Sequence, residues 1–342
     1  MPEPIAAPLR LSRDGAITAP TLAHHLEQRA GDAPQRVALA ALVAALAQGS
    51  IPLAGRLAQG HLTGDPTAVV GTNDSGDRQK ALDMAAHDHF VALLRGLSVA
   101  RVLSEEAETV IDLDPEGLFD VAMDPIDGSG SIGIGAPLGA LFAIFPAGGS
   151  FLRSGREMIG AAYVSFGHSV DFGFSMGDGV SIATLDPVTG IFHVDSVDVR
   201  VTDETSTVAF NASNRKRWLP GLQSYVLDLL EGADGPRGRD FNMRWIAAAV
   251  GDLHRILRRG GLFMYPADTR PGYGGGFLRL AYEAFPIAYL VEQAGGAASD
   301  GRRPILDRIP AHPHDRVPLV FGSRAEVAVV ADYLSDPEHQ ET

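Results

Sequence analysis

Asp124-Pro125-Ile126-Asp127-Gly128-Ser129 runs directly into Gly130-Ser131-Ile132-Gly133, and the rest of the chain is best read outward from this stretch. Pro125 fixes one φ angle and Gly128 permits a tight turn, so two carboxylates at i and i+3 can converge on one or two cations. The small residues behind them let the backbone come close to a ligand, where peptide N–H groups can hold phosphate oxygens. One stretch then supplies a cation site and an anion site. Metal-assisted phosphoryl transfer needs both, to make a water nucleophilic and to neutralise spreading negative charge.

Further acids join them. The short apolar runs 99–103 and 118–122 read as strands, and each delivers carboxylates at its C-terminal end: Glu105-Glu106 after the first, Asp124 and Asp127 after the second. Glu283 follows a further predicted strand at 277–282. Ligands of α/β proteins collect at the C-terminal ends of strands, and Mg²⁺ takes carboxylate, water and phosphate oxygens.

Around this centre the spacing predicts helices at 34–48, closed by Gly49, and at 51–59. A long loop at 60–77 and a helix at 78–95 follow. Strands are expected at 138–145 and 161–166, with a hairpin turn at 186–190. Helices at 219–231, 243–259 and 285–294 and a strand at 262–265 complete an alternation that predicts α/β layers. The first twenty residues carry four prolines and no period, and read as a loosely held arm. A charged, Thr-rich stretch near residue 200 divides the chain into lobes 1–200 and 201–342, as its length of 342 residues suggests.

Composition excludes several functions. A net charge of −14 argues against nucleic acid and against an anionic membrane surface. With no cysteine there is no disulfide, thiolate nucleophile or zinc–sulfur site, which suits a cytoplasmic setting. The most apolar run, 37–47, is too short to span a bilayer and reads as a buried helix. The pairs His24-His25, His87/His89 and His312/His314 lack metal-site spacing. Arg215-Lys216-Arg217 reads as a solvated basic cluster, and 272–276 as a flexible turn.

Ser104-Glu105-Glu106 followed by Asp124-Pro-Ile-Asp-Gly-Ser129 resembles the fructose-1,6-bisphosphatase and inositol-monophosphatase superfamily. Gly261-Leu-Phe-Met-Tyr-Pro-Ala-Asp268, Leu278-Arg-Leu-Ala-Tyr-Glu283 and Pro286 to Gly296 are similar to class I fructose-1,6-bisphosphatase in particular. So are Gly76-Asp77-x-x-Lys80-x-Leu82-Asp83 and Arg316-Val-Pro-Leu-Val-Phe-Gly-Ser323. The resemblance implies a layered αβαβα sandwich that removes the 1-phosphate of a sugar bisphosphate with Mg²⁺, or Mn²⁺. It implies metal ligation by Glu105, Glu106, Asp124, Asp127, Glu283 and the Ile126 carbonyl. Asp83 and Glu106 would activate the water, and Asp77 would sit on a loop closing over the site. Gly128 and Ser129 amides, beside Asp127, would hold the reacting phosphate. Asn211, Arg244, Tyr265 and Arg279 would meet the sugar and its distal phosphate, Arg244 from a neighbouring subunit of a homo-oligomer, usually a tetramer.

The chain departs from that family where the distal phosphate is expected. Phe277 stands in place of a basic residue, and Trp245 in place of a tyrosine. Asn211-Ala-Ser-Asn214 replaces Asn-Glu-Gly, and the Gly130-Ser131/Gly133 positions lose an Asn and an Asp. A missing cation at a phosphate removes ~10- to 100-fold in affinity. These departures predict weaker use of fructose 1,6-bisphosphate, or another preferred sugar phosphate. A sedoheptulose-1,7-bisphosphatase, a dual-substrate or broader sugar phosphatase, and a silent sugar-phosphate-binding paralogue are the alternatives.

Overall fold

The computed structural model describes residues 15–72 and 78–336. In chain order its elements are α1 (Leu22–Ala30), α2 (Pro34–Ala58), β1 (Val69–Thr72), β2 (Arg78–Lys80), α3 (Ala81–Leu94), β3 (Val99–Ser104) and β4 (Ile111–Asp112). Then come β5 (Phe119–Asp127), β6 (Leu138–Pro146), β7 (Gly160–Phe166), β8 (Val170–Ser175), β9 (Ser181–Asp186) and β10 (Ile191–Ser196). The second half has β11 (Thr207–Ala209), α4 (Pro220–Glu231), β12 (Asn242–Met243), α5 (Ala249–Arg259), β13 (Leu262–Tyr265) and β14 (Leu278–Arg279). A π-helical turn (Leu280–Ala284), α6 (Phe285–Gln293), β15 (Ala297–Ser299), β16 (Arg316–Val317), β17 (Leu319–Gly322) and α7 (Arg324–Ser335) complete it.

Two sheets carry the architecture. One has eight strands in the order β10-β9-β8-β7-β6-β5-β3-β4, and the other five in the order β12-β11-β13-β17-β15. Successive strand side chains point to opposite faces, and the core follows that period. Ala140, Phe142 and Ile144 of β6 join the cluster under α1–α3, whereas Leu141, Ala143 and Phe145 join the one that includes α5 and α6. In the smaller sheet Phe263 and Phe321 face α5 and α6, and Leu262, Met264 and Val320 pack with α4 and α7. The layers therefore run helix, sheet, helix, sheet, helix: the expected αβαβα sandwich.

Several expected boundaries move, each for a local reason. The two helices expected around Gly49 are one helix, Pro34–Ala58. Gly49 does not end it; a Cβ there would lie 2.4 Å from Leu93 Cδ2, so glycine lets α3 approach. Its carbonyl accepts from His89 Nε2 at 2.7 Å, and the Ser50 hydroxyl donates to the Ala47 carbonyl at 2.6 Å. As one helix, α2 is long and apolar enough to cross a membrane, contrary to the length argument above. What makes it a core helix is burial: Leu39, Leu42, Val43 and Leu46 all lie in the cluster against the large sheet.

The helix expected from 78 begins at Ala81, because 78–80 pair as β2 with β1 inside the stretch read as loop. Residues 243–248 are strand end, extended chain and a bend at 247–248, and the helix starts only at Ala249. The strand expected at 277–282 is two residues long, and then the backbone turns into the π-helix. β5 runs on through Asp127 rather than stopping before the acids, with its register against β6 broken between Asp124 and Asp127, where Pro125 has no N–H to give. Helix α1 was not expected. The proline-rich start lies mostly outside the described residues; from its end, the Pro20 carbonyl accepts from Val194 N at 2.9 Å.

Candidate active site

β3 and β5 are neighbouring parallel strands, so both deliver their C-terminal acids to the same edge of the large sheet. Carboxylate oxygens of Asp124, Asp127 and Glu283 lie within 4.8 Å of one another, and all three residues are buried. Glu105 and Glu106, half-buried, line the same cavity of about 450 Å³. Glu283 arrives from the π-helical turn, a widened turn frequent at functional sites, and its Oε2 accepts from the Arg279 N–H at 2.5 Å.

Asp124, Asp127 and Asp83 are each held by a backbone N–H, and Glu106 by a side-chain amide. Asp124 Oδ1 accepts from Ile126 N at 2.8 Å, closing the turn around Pro125. Asp127 Oδ2 accepts from Val250 N at 2.6 Å, in the first turn of α5, where the helix dipole favours a negative group. Glu106 Oε2 accepts from Gln79 Nε2 at 2.9 Å. Asp83 Oδ2 accepts from Lys80 N at 3.1 Å as the cap of α3, and Oδ1 is buried without a hydrogen-bond partner. The Lys80 ammonium donates to the Ser129 carbonyl at 2.6 Å, tying the start of α3 to the turn after β5.

That turn is tight. Gly128 sits at φ 84°, and a Cβ on it would lie 2.5 Å from Ala248 Cβ. Ser131 N donates to the Gly128 carbonyl at 2.8 Å and Ile132 N to that of Ser129 at 3.1 Å. Gly128, Ser129 and Gly130 line the cavity beside the acids.

The carboxylates suppress one another's ionisation. Burial, reinforced by Glu106 and Asp127 and opposed by Arg279, pushes Glu105 up to about 8. Burial pushes Asp127 up to about 6. Asp124 and Glu283 rise well above the carboxylate range, first through burial and then through Glu105 and the other acids. Oxygen-only donors, mutual repulsion and few compensating cations fit a hard divalent metal. Asp83 rises to about 6 through burial, less the pull of the Lys80 N–H.

Among the expected substrate contacts, Tyr265 and Arg279 line the cavity, together with Ile126. Asn211 and Arg244 do not. Asn211 Oδ1 accepts from Ser213 N at 3.2 Å, and Arg244 is exposed at the end of β12. Asp77 lies outside the described residues. Sequence reasoning missed the Val250 amide and Ala247, which lines the cavity at φ 74°, a rare backbone state for a residue with a Cβ. Neither leaves a sequence signal. A larger cavity of about 660 Å³, bordered by Leu57, Ile132, Phe166 and Leu185, has no carboxylate in its wall among the described residues and does not gather the acids.

Comparison with known proteins agrees with this geometry. The profile of the fructose-1,6-bisphosphatase N-terminal domain matches residues 23–196, and that of the C-terminal domain residues 201–335. Class 1 fructose-1,6-bisphosphatases of Brucella suis and Brucella abortus are 50% identical over 331 residues, covering 96% of this chain and 97% of theirs. The crystal structure of Leishmania major fructose-1,6-bisphosphatase in holo form superposes with a TM-score of 0.86 at 28% identity, over 94% of this chain and 100% of that one. Its T-state structure gives 0.82 at 27% identity, over the same shares of the two chains.

Proposed function

The chain belongs to the fructose-1,6-bisphosphatase family, and we propose on that premise that it hydrolyses the 1-phosphate of fructose 1,6-bisphosphate to fructose 6-phosphate and inorganic phosphate. One observation carries the reading: Asp124, Asp127 and Glu283 converge within 4.8 Å beside the Gly128–Gly130 turn. Glu105, Glu106 and the Ile126 carbonyl complete the oxygen set. Held there, a divalent cation, Mg²⁺ in this reading and Mn²⁺ as its substitute, lowers the pKa of water and offsets charge on the phosphate.

The side chains do the rest. Asp83, ionised above about 6, accepts the proton of the attacking water, with Glu106 held beside it by Gln79. The amides of Gly128 and Ser129 receive the phosphate oxygens, and Lys80 on the Ser129 carbonyl keeps that turn in place. Arg279 and Tyr265 orient the sugar. In this reading the lobe 1–200 carries most ligands, and 201–342 adds Glu283 and the substrate wall. The exposed Arg244 serves a neighbouring copy in a homotetramer, Asn211 offers its amide nitrogen at the distal end, and the enzyme works in the cytoplasm.

Phosphate release from fructose 1,6-bisphosphate is the test. Turnover with Mg²⁺ that stops on chelation and returns with added metal supports the reading. Full activity after exhaustive chelation, or none with metal present, refutes it.

A further inference from the structure

Arg244 and Trp245 are neighbours in sequence and face opposite ways. Trp245 lines the acid-bearing cavity, whereas Arg244 is exposed. Extended chain alternates its side chains, so a slip of one residue at β12 would exchange the two. The strand itself fixes little. β12 is two residues long, lies at the edge of the five-stranded sheet, and pairs in parallel with β11 through Thr207–Asn242 and Val208–Met243. Asn242 N donates to the Ser206 carbonyl and Arg244 N to that of Val208, each at 2.8 Å. Asn242 and Met243 are both exposed, so no buried face of β12 specifies its pairing.

A hold of another kind lies in the stretch 232–241, which joins α4 to β12. Arg237 donates to Glu326 through Nη1 at 2.8 Å and Nη2 at 2.9 Å, and Arg239 Nη2 donates to Glu326 Oε2 at 3.0 Å. The Tyr225 hydroxyl of α4 donates to Glu326 Oε1 at 2.7 Å. Glu326 stands in the first turn of α7 with its side chain 1% exposed, and that of Arg237 is 9% exposed. Arg239 is more open and also reaches Glu204 Oε2 at 3.3 Å. Both guanidinium groups lie over the ring of Phe241, the residue before β12, at 5.1 and 5.2 Å. Asp240 Oδ1 accepts from Ala233 N at 3.0 Å, closing the stretch on itself. A carboxylate this deep carries a desolvation cost that its cations offset only with good geometry, and the best-attested use of such a group is to fix register.

We infer that Glu326 is a positioning residue: by holding Arg237 and Arg239 it sets the register of β12, and with it the placing of Trp245 in its own cavity and of Arg244 toward the neighbouring copy. The inference rests on the phosphatase reading and deepens it, because Glu326 does not line the cavity and acts through two residues at the far end of the substrate. In Glu326→Gln the two guanidinium groups lose their anion and turn toward water, drawing 232–243 away from β11. Contacts to the far end of the substrate are the same in the ground and transition states. Their loss raises KM and leaves kcat in place. The carboxylate cluster is untouched.

The test measures initial rates of the full chain with Mg²⁺ and fructose 1,6-bisphosphate. In Glu326→Gln KM is expected to rise ~10-fold or more, the scale of a charged contact at a phosphate, with kcat within ~3-fold of wild type. A variant that merely folds less well has fewer active molecules, so kcat falls at unchanged KM; that result overturns the inference. Asp228→Asn is the control. It weakens the acceptor of the Tyr333 hydroxyl between α4 and α7 without touching 232–241, and is expected to leave KM unchanged. An equal rise of KM in the control makes the effect one of helix packing and also overturns the inference. Should Glu326→Gln not fold, Arg239→Gln decides, since that side chain is 33% exposed. KM is then expected to rise ~3- to 10-fold at constant kcat, and an unchanged KM overturns the inference. An active wild type with unchanged variants removes only this inference, whereas an inactive wild type removes the phosphatase reading with it.

Discussion

The amide of Val250 donates to Asp127 Oδ2 across 2.6 Å, joining the first turn of α5 to the end of β5. The contact makes Asp127 a site acid and a helix-end acceptor at once. Asp127→Asn can keep the acceptor while losing the charge. Activity should fall at least ~100-fold, since even an outer partner of a metal ligand is worth 10–100-fold. The melting temperature should hold or rise, because a repelling buried acid is gone. Calorimetry and initial rates on the purified variant check both, and unchanged kcat/KM would remove Asp127 from the metal set.

As the base of the proposed reaction, Asp83 should set the acid limb of the pH profile. Burial raises its carboxyl to about 6, so it is protonated below that pH and cannot accept a proton. The rate should decline with unit slope as pH falls through about 6. In Asp83→Asn the rate should be low and the limb absent. If the residual activity of that variant keeps the same limb, another group is responsible.

The crowded acids also predict an unusual stability profile for metal-free protein. Their folded pKa values lie above the unfolded ones, at about 8 for Glu105 and about 6 for Asp127. Between the usual carboxylate range and about 8 the folded state therefore binds more protons, and stability falls as pH rises. With chelator present the melting temperature should be higher at pH 6 than at pH 8. Excess Mg²⁺ should raise it more at pH 8, because the ligands must be ionised. A metal-free melting temperature that climbs from pH 6 to 8 would speak against the cluster.

Gly128→Ala is expected to destabilise by about 2 kcal/mol or more, from the left-handed backbone and the close approach of Ala248. Denaturant unfolding measures it. A change under about 0.5 kcal/mol, the range of an ordinary surface substitution, would mean the turn differs from the one described.

Much of this was legible in the chain. The two strands that deliver Glu105 and Asp124 read directly, because apolar runs bounded by acids leave few alternatives, although the second runs on through Asp127. Their adjacency in a parallel pair did not read, since pairing is set by the whole sheet. Gly49 illustrates the opposite error: locally it signals a helix end, yet the approach of Leu93 makes it an interior contact. The π-turn that aims Glu283 has a strand-like sequence, Leu278-Arg-Leu-Ala-Tyr, and only its setting bends it. The missing cation at Phe277 was visible, but the stack with Tyr265 and Tyr273 was not, because the three rings meet across a loop. Asp83 as a helix cap, and Lys80 on the Ser129 carbonyl, needed coordinates.

A crystal of the protein soaked with Mn²⁺ and inorganic phosphate, measured for anomalous scattering, tests the central claim most directly. The account predicts a peak at about 2.1 Å, the usual oxygen distance for a small divalent ion, from carboxylates of Asp124, Asp127 and Glu283, with phosphate against the Gly128–Gly130 turn. Manganese bound elsewhere, with those three acids carrying none, would contradict it.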